Sequence, residues 1–166
     1  MEKMSDQVQS SIVIERTYKA DVEELWALWT TKEGFESWWG PEGFRADVHA
    51  IEARPGGALH YDMVADTPEM VAMMERMGQP SSTSCRGAYS EFKPHERLTL
   101  VQMIDFLPGV TPYESTMQVD FLPVAGGHVR MVVTSSRMHD EQFTRMQQMG
   151  LASQLSKLDR RYGWQG

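Results

Sequence analysis

Chemistry at neutral pH needs a polar or ionisable side chain held beside a partner, and this sequence offers few such pairs. Arg86 and Gln102 each sit in a run that alternates apolar and polar residues, in phase with small or apolar neighbours, so both are expected to point into an interior. A buried Arg86 guanidinium would bind a carboxylate or polarise a carbonyl, and Asp105, in the same run as Gln102, would move a proton. The alternative for Arg86 is that a bulge shifts the register and the side chain reaches water. Tyr61 and Tyr113 offer phenols for hydrogen bonding, and Asp105 and Glu114 flank the connection from Leu107 to Pro112. The histidines, His49, His60, His95, His128 and His139, are scattered and none has the spacing of a metal site. The glycine-rich turns lack a nucleotide-cradling pattern, and there is no G-x-S-x-G elbow. Neither a metal nor a cofactor is expected, and the sequence describes a container more clearly than a reaction.

The side chains expected to line such a container are Trp38, Tyr61, Met73, Arg86, Gln102, Met117, Met131, Phe143 and Met146. Trp38 and Trp39 are adjacent, so on a helix they point about 100° apart and only one can face a small cavity. Met70, Met73, Met74 and Met77 recur at helical spacing and read either as an adaptable apolar lid or as the packing face of an inserted helix.

The elements that must position these residues follow from periodicity. A strand runs from Ser10 to Lys19, with Ile12, Ile14 and Arg16 on one face. Asp21 and Glu24 form a box-like helix start, Val22, Leu25, Trp26, Leu28 and Trp29 recur at helical spacing, and a second short helix runs from Lys32 to Trp39 until Gly40-Pro41 stops it. Six further strands follow: a hairpin built on Phe44 to Ala50 and Leu59 to Ala65, then Ser84–Lys93, Arg97–Leu107, Tyr113–Leu122 and His128–Ser136. Thr67-Pro68 opens the Met-rich helix that interrupts them, and Gly78 closes it. A long helix, Asp140 to Tyr162, has acidic residues in its first turn and Arg160 and Arg161 in its last, with Phe143, Met146, Gly150, Leu151, Leu155 and Leu158 facing inward. This order implies an α+β, helix-grip architecture: a seven-stranded curved antiparallel sheet wrapped around the C-terminal helix, with two short helices between strands 1 and 2 and the Met-rich helix between strands 3 and 4. The small residues Ala46, Ala50, Ala65, Ser84, Ala88, Ser115 and Gly150 would leave the space between sheet and helix unfilled.

Length and charge narrow the rest. A chain of 166 residues suits one domain, with its core between Ile12 and Leu158. A net charge of −7, without a basic cluster, argues against nucleic acid as a partner. The single cysteine, Cys85, permits no internal disulfide. The polar residues 1–11 and the lack of a long apolar run imply neither signal peptide nor membrane span, so a cytoplasmic location is expected. A homodimer through the edge of the first strand is possible on these grounds.

Four motifs carry a family resemblance. Trp38-Trp39-Gly40-Pro41, Arg54-Pro55-Gly56-Gly57, Pro94-His95-Glu96-Arg97-Leu98 and Gly150 to Leu158, in the element order above, resemble the START-like, birch-pollen-allergen-like (SRPBCC) superfamily, in its branch homologous to the activator of the heat-shock-protein-90 ATPase. The likeness extends from about Ile12 to Leu158. It implies the helix-grip fold and, for function, three readings: a binding protein for a small apolar or aromatic molecule, a polyketide-cyclase- or hydratase-like enzyme using Arg86 and Asp105 in the same cavity, or a module that docks on a chaperone. Two departures alter the expected cavity mouth: the family's glycine-tryptophan in the last helix reads Gly150-Leu151 here, and the Met-rich insertion lengthens one connection.

Overall fold

The computed structural model describes residues 11–105 and 109–164. Its elements are β1 (Ile12–Lys19), α1 (Val22–Thr30), α2 (Lys32–Glu36), β2 (Phe44–Ile51), β3 (Ala58–Ala65), α3 (Pro68–Arg76), β4 (Ser82–Lys93), β5 (Arg97–Ile104), β6 (Tyr113–Val124), β7 (His128–Ser135) and α4 (Glu141–Tyr162). The strands form one antiparallel sheet in the order β1-β7-β6-β5-β4-β3-β2. β2 to β7 are a meander, whereas β1 lies at the far edge beside β7. The short helices α1 and α2 therefore carry the chain from one edge of the sheet to the other. The result is the α+β helix-grip fold, a curved half-barrel around a long C-terminal helix.

Alternation places one row of each strand inside. Tyr18, Leu59, Leu100, Val119, Phe121 and Val133 are buried with Leu151, Leu155 and Leu158 of α4. At one end of this core, Trp29 meets Trp38 and Trp39 edge to face, at centroid distances of 4.9 and 5.6 Å, and Phe35 stacks on Trp39 at 4.7 Å. Such an aromatic knot combines large buried area with favourable ring geometry, and it fixes α1 and α2 against the sheet end. Local caps follow the sequence. Thr67 and Asp140 accept the Met70 and Phe143 amides at 3.1 and 2.7 Å, while Asp21 stands at the start of α1 without a side-chain capping bond.

Several boundaries and phases differ from expectation. α2 ends at Glu36, so Trp38 and Trp39 lie in the following turn and not on a helix. A bulge in β4 between Tyr89 and Glu91 changes which residues face inward. Before it, Thr83, Cys85, Gly87 and Tyr89 take the inner row, so Ser84, Arg86 and Ala88 face the other way. A second bulge between Val48 and Ala50 brings Ile51 toward the core in β2. The strand start at Ser10 and the end at Leu107 lie outside the described residues, as does all but the last residue of the polar stretch 1–11. Among the described residues no helix is long and apolar enough to cross a membrane.

Candidate functional site

Between the sheet and α4 lies a cavity of about 300 Å³, at the small end of the range typical of ligand sites. The sheet contributes Tyr61 and Met63 from β3, Thr83 and Cys85 from β4, Gln102 from β5 and Met117 from β6. α4 contributes Gln147, Gly150, Leu151 and Gln154, and the turn after α2 contributes Trp39 and Pro41. Among the described residues, no lining side chain carries a formal charge at neutral pH.

The polar atoms of the cavity form a connected set. The Tyr61 phenol oxygen accepts the Trp39 indole N–H at 3.0 Å and the Gln102 amide N–H at 2.8 Å. Cys85 lies beside this phenol and donates its S–H to the Thr83 carbonyl at 3.6 Å, and burial holds the phenol in its protonated form. Burial likewise pushes the Cys85 thiol up to about 11, against the opposing hydrogen bond from Tyr61. Cys85 is therefore a thiol at neutral pH and a poor nucleophile. Its alkylation by iodoacetamide at pH 8 is expected to be about two orders of magnitude slower than that of an unhindered cysteine, from thiolate fraction alone. Mass-spectrometric labelling rates check this, and labelling at the free-cysteine rate would contradict the burial argument.

α4 is fastened mainly through its C-terminal half. Gln154 accepts the Gly40 amide at 3.1 Å, Ser153 accepts the Glu42 amide at 2.9 Å, and Lys157 donates to the Phe44 carbonyl at 3.2 Å. Arg16 and Tyr18 of β1 both donate to Asp159, at 3.1 and 2.6 Å. In the N-terminal half, Gln147 donates its amide nitrogen to Ser135 at 3.0 Å, and its buried carbonyl oxygen has no hydrogen-bond partner among the described residues. Gly150 sits between these halves. A Cβ built on it meets nothing within 4 Å, so open space lies where a side chain would be.

Of the residues singled out from sequence, Tyr61, Gln102 and Met117 line this cavity. The others are elsewhere. Trp38 is sealed in the aromatic knot, donating its indole N–H to the Leu28 carbonyl at 2.8 Å, and its neighbour Trp39 takes the cavity wall. Arg86 and Asp105 are on the outer face of the sheet, 2.7 Å apart, and the Arg86 side chain is 61% exposed. The β4 phase explains this, and the inward acid–base pair imagined from them does not exist. Met131 faces inward but is wholly packed in the core. Phe143 is half-buried against His139, whose ring also meets the Tyr113 hydroxyl at 3.0 Å. Met146 is 55% exposed, because the inward meridian of α4 passes through Gln147. Met73 is also exposed, and α3 has no fully buried residue. Its Met70 lies against Gly43, where a Cβ would come within 2.8 Å of the Met70 methyl. Sequence reasoning missed Trp39, Thr83, Gln147 and Gln154 as lining residues. For Gln147 the available signal was its place four residues after Phe143 and four before Leu151. Among the described residues no group of three or more metal-ligating side chains converges.

The model of the Activator of Hsp90 ATPase homolog 1-like protein family matches residues 19–163. The chain belongs to that family. Solved structures of the same fold include protein CV1439 from Chromobacterium violaceum, 21% identical with a TM-score of 0.71 over 93% of this chain and 97% of that one. The AHSA1 protein from Silicibacter pomeroyi is similar at 20% identity and a TM-score of 0.71, over 91% and 96% of the two chains. Protein Ms6760 from Mycobacterium smegmatis reaches 18% identity and 0.69 over 93% and 92%. The chain has no match among curated proteins. Activator of Hsp90 ATPase homolog 1-like folds typically bind hydrophobic ligands, and identities this low carry the architecture alone.

Proposed function

We propose that this protein binds one small, largely apolar molecule, aromatic by preference, in the cavity between the sheet and α4. The observation that carries the reading is Gly150. A glycine in mid-helix costs about 0.5–1 kcal/mol relative to alanine, and the space in front of this one is open. Keeping that position empty preserves volume between Trp39, Met63, Met117 and Leu151, which offer flat or adaptable apolar surfaces to a ring. Lining groups without formal charge favour a neutral guest, since an unpaired ion would lose its hydration without compensation.

Titration with the neutral dye N-phenyl-1-naphthylamine tests the reading. Saturable fluorescence enhancement at one dye per chain, with quenching of tryptophan emission through Trp39, is the expected result. Enhancement that rises linearly without saturation would reject the cavity as a binding site.

A further inference from the structure

The polar atoms of the cavity say more about the guest than its size does. Tyr61 accepts two N–H groups, from Trp39 and Gln102, and these occupy the lone pairs of its oxygen. The only role left to the phenol is donation, and the sulfur beside it, Cys85, is a weak acceptor whose own S–H is directed to the Thr83 carbonyl at 3.6 Å. A chain of N–H to O–H donation also polarises the last proton in the series. Tyr61 is thus a donor held in place and poorly used.

The opposite need exists on α4. The Gln147 amide nitrogen is committed to Ser135, whose hydroxyl in turn points to the Ser136 carbonyl at 3.4 Å. That leaves the Gln147 carbonyl oxygen, on a side chain of the cavity wall, as a buried acceptor without a donor among the described residues. A buried acceptor gains from a donor brought to it, so a donor-bearing guest is favoured at this oxygen.

We infer that the guest is a compact, neutral ring compound bearing one hydrogen-bond acceptor, met by the Tyr61 hydroxyl, and one O–H or N–H donor, met by the Gln147 carbonyl. Hydroxy-ketones on an aromatic frame are the class that fits. Carboxylates and amines do not, because among the described residues no lining side chain carries an opposite charge. This rests on the reading of the cavity as a ligand site, and deepens it by assigning recognition to two atoms.

The test is competition against N-phenyl-1-naphthylamine by three matched probes: 4-hydroxyacetophenone, acetophenone and 4-hydroxybenzoate. The hydroxy-ketone should displace the dye about three- to tenfold better than acetophenone, the span of one net neutral hydrogen bond, and the benzoate anion should be weakest. In Gln147→Met the advantage of 4-hydroxyacetophenone over acetophenone should vanish. In Tyr61→Phe both ketones should weaken together. A purely structural role for Gln147 would change the binding of both ketones alike and leave their ratio intact. Equal displacement by all three probes with normal dye binding would overturn the assignment of the two atoms while leaving the container reading in place. Absence of saturable dye binding would overturn both.

Discussion

Gly150→Leu is expected to raise the melting temperature and to abolish dye binding together. The leucine removes a mid-helix glycine, worth about 1 kcal/mol, and sends its side chain into space where a Cβ meets no atom within 4 Å. Burying part of that side chain against Met63 and Met117 adds roughly 1 kcal/mol more. For a chain of this size each kilocalorie corresponds to ~2–4 °C. Affinity for N-phenyl-1-naphthylamine should fall ~10-fold or more, because the plug occupies the volume that the guest needs. Gly150→Ala is the control, with most of the helix gain and little loss of volume. Calorimetry and the dye titration, run on both variants, separate packing from binding. If Gly150→Leu binds dye as the parent does, the guest does not sit beneath α4.

The second large effect concerns the hold on α4. Asp159→Ala should lower unfolding free energy by about 2–3 kcal/mol, since it strips two hydrogen bonds at once and leaves Tyr18 without its acceptor. The Asp159 and Arg16 side chains are each only 16% exposed, which is why their contact matters. Arg16 also lies 4.2 Å from the Trp164 ring centroid, so its charge is shared between a carboxylate and an aromatic face. Exposed pairs such as Arg45–Asp66 are screened, and their loss should be barely measurable. Asp159→Asn keeps an acceptor for Tyr18 and should cost about half as much. Urea unfolding followed by tryptophan fluorescence gives the values. A loss below ~0.5 kcal/mol for the alanine variant would show that β1 and α4 are held by apolar packing alone.

The architecture was legible because its signals are periodic. Phe44, Ala46 and Val48 alternate, and Thr67-Pro68 and Asp140 mark helix starts, whereas the stop read at Gly40-Pro41 overran α2, which ends at Glu36. The lining was less so, for two physical reasons. A bulge lets one strand carry both phases: Tyr89 and Phe92 both pack inward although they are three apart, and sharing phase with the small residues Ser84 and Ala88 put Arg86 inside. The spacing of those two aromatics was itself the clue, because an unbroken strand cannot bury both. On the last helix, apolar periodicity chose Met146 over Gln147, yet the inward meridian passes through the glutamine. A cavity that handles a polar group needs polar walls, which hydrophobic periodicity passes over. Trp38 and Trp39 were separable only by the turn that ends α2, since both are buried.

The distribution of methionine has a consequence for ageing of the molecule. Met73, Met77, Met146 and Met149 face solvent, whereas Met117 and Met131 are enclosed. Peroxide reaches the outer four first and turns them into polar sulfoxides, a change that costs little at a surface and is enzymatically reversible. The outer sulfur thus serves as a sacrificial coat, consumed before oxidation reaches the walls within.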